Sequence, residues 1–141
     1  MKKLLSKAIA IASTAHEGVY DKGGSPYILH PIWVMNNVRH LGFKHMIVAI
    51  LHDVVEDTDW TISKLREEGF PEDVLAALTL LDMRKVNYED RIKEIATNEL
   101  AKPVKLKDLE HNLRPSRLTG LSKKDHDKIE KYHRSYVYLN C

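Results

Sequence analysis

The residues best suited to chemistry lie in segment 51–58, Leu-His-Asp-Val-Val-Glu-Asp-Thr, where a histidine and three carboxylates interrupt an apolar run. Charge in an apolar helix is costly to bury unless an opposite charge or a metal ion compensates it. His52, Asp53, Glu56 and Asp57 therefore predict a site that holds a cation.

Helical spacing predicts how these four side chains are arranged. In a helix His52 and Asp53 diverge by about 100°, so both can ligate one ion only if it lies between their directions. Glu56 and Asp57 each follow one of them by four residues and lie one turn further along the same side. We therefore expect all four to face one cavity.

Two further candidate ligands lie on either side of this segment in the sequence. His30 precedes Pro31, and Asp108 lies in segment 104–112, Val-Lys-Leu-Lys-Asp-Leu-Glu-His-Asn. Together with His52 and Asp53 they form a mixed set of nitrogen and oxygen donors. Such a set suits Mn²⁺, Fe²⁺ or Zn²⁺ and leaves coordination positions open for water, whereas a sulfur-preferring metal fits it poorly.

Composition narrows the class of protein. The 141 residues carry a formal net charge of +2 from 22 basic and 20 acidic residues, a balance that does not indicate a DNA- or RNA-binding protein. The one cysteine, Cys141, excludes an internal disulfide and favours the reducing cytoplasm. Lys7 interrupts the first apolar run too early for a signal peptide, and no apolar segment approaches the ~18 residues of a membrane span.

The hydrophobic periodicity is helical almost throughout, and strand patterns are scarce. The loop 18–26 is marked by glycines and a proline, and Ser122 with Asp125 predicts a capped helix start. We predict helices ending near 17 and spanning about 31–42, 44–56, 61–69, 71–81, 88–97, 101–114 and 122–139. The predicted fold is an all-α, compact helical bundle forming one domain over residues 1–141.

Four blocks of sequence carry a resemblance to a known family. The order His, His-Asp, Asp is that of the HD phosphohydrolase superfamily. The sequence segments around these residues resemble, in order and spacing, the hydrolase domain of RelA/SpoT proteins over about residues 5–118. The blocks are Ala-His-Glu-Gly at 15–18, Gly-Ser-Pro-Tyr-Ile-Leu-His-Pro at 24–31, Ala-Ile-Leu-His-Asp-Val-Val-Glu-Asp-Thr at 49–58, and Val-Lys-Leu-Lys-Asp-Leu-Glu-His-Asn-Leu-Arg at 104–114.

The resemblance implies an HD-type fold and a Mn²⁺-dependent hydrolase that removes the 3′-pyrophosphate from guanosine tetra- and pentaphosphate. It implies a pair that activates water, Glu56 and Asp57, and places Asn112 near the ribose. We expect a chain like the small stand-alone alarmone hydrolases, without a synthetase domain. The implied metal ligands are His30, His52, Asp53 and Asp108.

A substrate rich in phosphate also needs fixed cations. Cations lie within the four blocks, in the loop before His30 and in the loop after Leu81, and we expect Lys22 to be the foremost of them. The predicted substrate-binding cations are Lys22, Arg84, Lys85 and Lys105, with Lys107 and Arg114 as further candidates.

One position departs from the family pattern. Many relatives have Arg-Lys-Ser-Gly before the first histidine, with the arginine packed on guanine, whereas this chain has Asp21-Lys22-Gly23-Gly24. An aspartate cannot stack as a guanidinium does. Asp21 can instead accept a hydrogen bond from a base edge or cap the loop, and we expect the second. Another nucleotide, or a cofactor such as NADPH, is therefore an alternative substrate. A non-catalytic nucleotide sensor is a further alternative, although a sensor has no need of both Glu56 and Asp57.

Overall fold

The computed structural model describes residues 1–117 and 121–141, which form α-helices joined by short connections. Within these ranges there is no strand beyond an isolated bridge between Tyr20 and Pro26, so the prediction of an all-α fold is confirmed. None of the helices described is long and apolar enough to cross a membrane. The helices are α1 (Lys2–Ala15), α2 (Leu29–Asn37), α3 (Phe43–Asp57), α4 (Ile62–Glu67), α5 (Glu72–Leu81), α6 (Tyr88–Ala96), α7 (Ala101–Asn112) and α8 (Lys123–Leu139).

Helix α3 is the centre of the fold. Every residue from Met46 to Val55 is buried, because this helix is apolar on all sides and is packed by α1, α2, α5 and α7. On the side of α1, the contact includes the fully buried small side chains Ala8 and Ala12. The central position of α3 carries His52 and Asp53 into the interior.

The region predicted as one helix over 31–42 is divided in the structure. Helix α2 already begins at Leu29, so Pro31 lies in its first turn, where the missing N–H of proline is not needed. The helix ends at Asn37, and a short 3₁₀ turn, Arg39–Leu41, follows. Gly42, with a φ of 115°, then separates this turn from α3.

The predicted boundaries of the later helices agree with the structure. Ser122 and Asp125 form a reciprocal capping box at the start of α8. Thr61 accepts a hydrogen bond from the Lys64 N–H at the start of α4, and Gly69, with a φ of 96°, follows the end of that helix. These local signals mark the beginnings of α4 and α8.

Candidate active site

The four predicted ligands come together from three helices and are all buried. His30 lies on α2, His52 and Asp53 on α3, and Asp108 on α7. The Nε2 atoms of His30 and His52 lie 2.8 and 3.3 Å from Oδ1 of Asp108. Oδ2 of Asp53 lies 3.2 Å from Nε2 of His52 and 3.7 Å from Nε2 of His30.

This arrangement fits a divalent metal ion. One ligand atom from each of His30, His52 and Asp108 lies within 4.8 Å of the other two. Asp53 adds a carboxylate oxygen against both imidazoles. A buried set of imidazole nitrogens and carboxylate oxygens can hold Mn²⁺, Fe²⁺ or Zn²⁺.

The electrostatics of the centre favour positive charge. Burial alone would lower the pKa of His52, but the charges of Asp53 and Asp108 raise it well above its usual value. Burial alone would raise the pKa of Asp108, but Lys105 and the two imidazoles hold it well below its usual range. The carboxylates therefore stay ionised and stabilise a cation between them.

Neighbouring side chains fix the orientation of both carboxylates. The Tyr27 hydroxyl donates to Oδ2 of Asp53 at 2.7 Å. Lys105 donates to Oδ2 of Asp108 at 3.0 Å, and the Asn112 amide donates to Oδ1 of Asp108 at 3.2 Å. Such contacts hold ligand oxygens in place before a metal binds, and they raise its affinity.

A second set of contacts orients His30 through Nδ1, the ring nitrogen that does not face the candidate metal centre. Its Nδ1 lies 2.7 Å from Nδ1 of His111, whose ring stacks on Trp33 with 4.5 Å between ring centroids. The Arg114 guanidinium carbon lies 4.5 Å from the Trp33 ring centroid on α2. Burial, together with His30 and nearby arginines, lowers the pKa of His111 to about 4, so this ring is neutral at pH 7.

The acidic couple lies one turn beyond the ligands on α3, and both members line a cavity. Burial raises the pKa of Glu56 to about 7, with the charges of Asp53 and Asp57 adding to the effect. Burial and Asp53 also raise the pKa of Asp57 to about 6. The Met83 N–H donates to Oε1 of Glu56 at 3.3 Å. Carboxyl groups that titrate near neutrality can exchange protons with a substrate or water.

The cavity has a volume of about 690 Å³, which falls within the range of small-molecule sites. Its inner wall includes Asp53 and Asp108, and the predicted substrate residues Lys22, Lys105 and Asn112 also line it. Three cations that the sequence analysis did not single out share the walls. They are Arg117, Lys128 and Lys131.

The structure does not bring Arg84 and Lys85 into this cavity. The Arg84 guanidinium donates to Oδ2 of Asp82 at 2.8 Å and to the Val55 carbonyl at 3.0 Å. Lys85 is exposed and occupies a turn with a φ of 55°. Lys107, the further candidate on α7, pairs with Glu110 at 3.0 Å.

The prediction that Asp21 caps its loop is confirmed. Its Oδ1 accepts hydrogen bonds from the Gly23 and Ser25 N–H groups, each at 2.9 Å. Its Oδ2 lies 3.7 Å from Nη1 of Arg117. The carboxylate is thus committed to the loop and to one arginine.

Several residues of the site escaped the sequence reasoning. His111 and Tyr27 were not singled out, although His111 lies one helical turn after Asp108 on α7 and Tyr27 lies three residues before His30, in the turn that precedes α2. The outer wall from α8 was also missed. It is formed by Asp125, Lys128, Ile129, Lys131 and Tyr132, most of which recur at helical spacing.

No family model matches the chain. It is 32% identical to a guanosine-3′,5′-bis(diphosphate) 3′-pyrophosphohydrolase of Haemophilus influenzae, over 74% of this chain and 17% of the relative. It is 33% identical to a protein of the same name from Borreliella burgdorferi, over 92% of this chain and 21% of the relative. The bifunctional (p)ppGpp synthase/hydrolase SpoT of Escherichia coli is 31% identical, over 79% of this chain and 18% of the relative. The chain thus spans less than a quarter of the length of these curated relatives.

A solved structure resembles the fold over almost the whole chain. It is described as a metazoan ortholog of SpoT that hydrolyses ppGpp and plays a role in starvation responses. The TM-score is 0.78 at 25% sequence identity, and the match covers 96% of this chain and 84% of the other.

Proposed function

We propose, because the chain is an HD-domain, RelA/SpoT hydrolase-like protein, that it removes the 3′-pyrophosphate from guanosine tetra- and pentaphosphate. One observation carries the proposal. A buried cation-binding centre adjoins two carboxyl groups with raised pKa values in a cavity of about 690 Å³. This combination suits hydrolysis of a phosphate ester.

We propose Mn²⁺ as the resident metal, held by His30, His52, Asp53 and Asp108. When bound, a divalent ion neutralises charge that develops on phosphate oxygens and lowers the pKa of a water molecule. The residues around the ligands prepare this centre. Tyr27 fixes one carboxylate through its hydroxyl, 2.7 Å from Oδ2 of Asp53.

Glu56 is the proposed general base. Its pKa of about 7 means that much of it is ionised at neutral pH while its basicity exceeds that of an ordinary carboxylate. Asp57, with a pKa of about 6, is the second member of the couple and accepts or returns protons with it. Because the two groups repel each other's charge, they titrate as a pair.

The cations of the cavity bind the rest of the substrate. Lys105 is buried and keeps its charge through Asp108, so it presents a fixed ammonium beside the acidic couple. Lys22 and Lys128 line the same cavity, and we propose that they bind the phosphates remote from the reaction. Asn112 lines the same cavity and is the proposed contact to the ribose.

A different nucleotide, or a cofactor such as NADPH, is the second candidate substrate. The contacts of Asp21 support this alternative. The carboxylate pairs with Arg117 at 3.7 Å and caps the loop, so this position offers no cation for a guanine ring. Base recognition must therefore come from other residues of the cavity.

Turnover of a substrate panel tests the proposal. The purified protein is incubated with ppGpp, pppGpp, GTP and NADPH, with Mn²⁺ or with EDTA, and released pyrophosphate and phosphate are measured. We expect Mn²⁺-dependent release of pyrophosphate from ppGpp and pppGpp. Turnover of NADPH alone would favour the second candidate. Tight binding of ppGpp without turnover of any compound would favour a nucleotide sensor.

A further inference from the structure

The outer end of the cavity carries a small apolar surface among charged groups. Val19 and Tyr20, from the loop between α1 and α2, line the cavity, and Ile129 of α8 lines it as well. Tyr20 is 65% exposed and Val19 is 46% exposed. An uncharged and exposed patch beside charged groups is suited to the apolar part of a charged ligand.

The backbone holds Tyr20 firmly in this position. The Tyr27 N–H donates to the Val19 carbonyl at 2.8 Å, and the Asp21 N–H donates to the Ser25 carbonyl at 2.8 Å. The side chain of Asp21 closes the same loop through two more hydrogen bonds. Because the loop is already ordered, a ligand that contacts Tyr20 loses little binding energy in fixing it.

The same loop connects this patch to the reactive centre. Lys22, two residues after Tyr20, lines the cavity, and its ammonium lies 4.0 Å from Oδ1 of Asp125, another lining residue. Tyr27, at the other end of the loop, bonds the ligand Asp53. A molecule with its phosphates at the centre and at Lys22 can place its remaining ring system beside Tyr20, which lines the same cavity.

We propose that Tyr20 provides the face on which the nucleobase stacks, and that it sets a preference for purine nucleotides. The inference rests on the proposed function, because it assigns the base end of that same site. Stacking on tyrosine needs no charge on the protein, which agrees with the commitment of Asp21 to its loop. The larger ring of a purine covers more of an aromatic face than a pyrimidine does.

Ligand titration calorimetry on the intact chain tests this role without catalysis. GDP, UDP and inorganic pyrophosphate are each titrated into the wild type, Tyr20→Ala and Tyr20→Phe. Tyr138→Ala is the matched control, because Tyr138 is 49% exposed on α8 and does not line the cavity. We expect GDP to bind Tyr20→Ala at least about fivefold more weakly than the wild type, since stacking on an aromatic face is worth about that much or more.

The other titrations separate stacking from general damage. Tyr20→Phe keeps the ring and should bind GDP within about twofold of the wild type, and the preference for GDP over UDP should shrink only in Tyr20→Ala. Pyrophosphate affinity should be unchanged in every variant. The inference is overturned if the wild type does not bind GDP, if Tyr20→Ala binds GDP as the wild type does, or if pyrophosphate affinity falls equally. Absence of ppGpp turnover by the wild type would instead refute the proposed function.

Discussion

Nδ1 of His30 lies 2.7 Å from Nδ1 of His111, while Nε2 of the same His30 ring lies 2.8 Å from Asp108 in the candidate metal centre. Both nitrogens of one imidazole are therefore engaged. When Nε2 faces a cation, the proton is on Nδ1, and a neutral His111 accepts it. The low pKa of His111, about 4, keeps that acceptor available across the neutral range.

Replacing His111 with phenylalanine should weaken metal binding while leaving the fold intact. The phenyl ring can keep the stack on Trp33, whose centroid lies 4.5 Å from that of His111, but it offers no acceptor to His30. Loss of a contact that orients a metal ligand typically costs about 10-fold to 100-fold in affinity. The measurement is the dissociation constant for Mn²⁺ by titration calorimetry.

His133 provides the control for this substitution, because it is exposed on α8. His133→Phe should bind Mn²⁺ with the affinity of the wild type. A wild-type Mn²⁺ affinity in His111→Phe would show that the contact between the two imidazoles does not orient His30.

Substitutions of Asp53 and Glu56 should separate metal binding from catalysis. Asp53→Ala removes a proposed ligand, so we expect loss of both bound Mn²⁺ and hydrolysis. Glu56→Gln removes only the proposed base, so the ion should remain while kcat falls by about 10² to 10⁴. Metal content of the dialysed proteins and their rates on ppGpp provide the comparison. Retention of Mn²⁺ by Asp53→Ala would contradict its assignment as a ligand.

Much of the fold could be predicted because its signals are local. Ser122 and Asp125 mark the start of α8, and Gly69 follows the end of α4. The division of the region after Pro31 could not be predicted, because Val38 is buried and apolar while the chain around it turns. Packing against α3 determines that turn, and hydrophobic periodicity along the sequence does not predict it.

The sequence proposed the candidate ligands, but it did not single out His111 and Tyr27, which contact two of them. His52 and Asp53 were recognised because charge in an apolar helix is costly. No sequence pattern distinguishes His111, because a histidine among polar and apolar residues of a helix is common. Its contact with His30 is seen only when α7 packs on α2. The residues of α8 that line the cavity could not be predicted for the same reason. In the sequence Lys128 and Lys131 resemble solvated surface charges, and only the fold places them at the cavity.

The rate of hydrolysis should rise with pH between about 6 and 7. Glu56 and Asp57 must lose their protons to act as bases, and their pKa values are about 7 and about 6. Above that range the rate should level off. The test is the pH profile of kcat on ppGpp with saturating Mn²⁺, with Glu56→Gln as the comparison. A Glu56→Gln profile that kept the same ascending limb would assign the limb to another group.

The same raised pKa predicts that Glu56→Gln stabilises the metal-free protein at high pH. The folded protein binds the Glu56 proton more tightly than the unfolded chain does, because the pKa is about 7 in the fold against an ordinary value of 4.5. Ionisation therefore costs stability as the pH rises from about 4.5 through 7, and glutamine avoids this cost. We expect a higher Tm for the variant in EDTA at about pH 8, corresponding to a gain in the free energy of unfolding on the order of 1 kcal/mol once partial exposure is allowed for. Near pH 4 we expect no difference in Tm between the variant and the wild type. Equal Tm values at both pH values would refute the prediction.

Two ion pairs of equal length on α7 allow a comparison of buried and exposed charge. Lys105 pairs with Asp108 in the interior, and Lys107 pairs with Glu110 near the surface, each at 3.0 Å and each across three residues. Lys105→Met leaves the buried Asp108 carboxylate without its ammonium, so the free energy of unfolding in EDTA should fall by about 3 to 5 kcal/mol. Lys107→Met should change it by less than about 1 kcal/mol. Urea unfolding of both variants measures the difference. Saturating Mn²⁺ should recover part of the lost stability in Lys105→Met, because the ion supplies positive charge beside Asp108. Equal destabilisation by both substitutions would show that burial of the Lys105–Asp108 pair does not govern its strength.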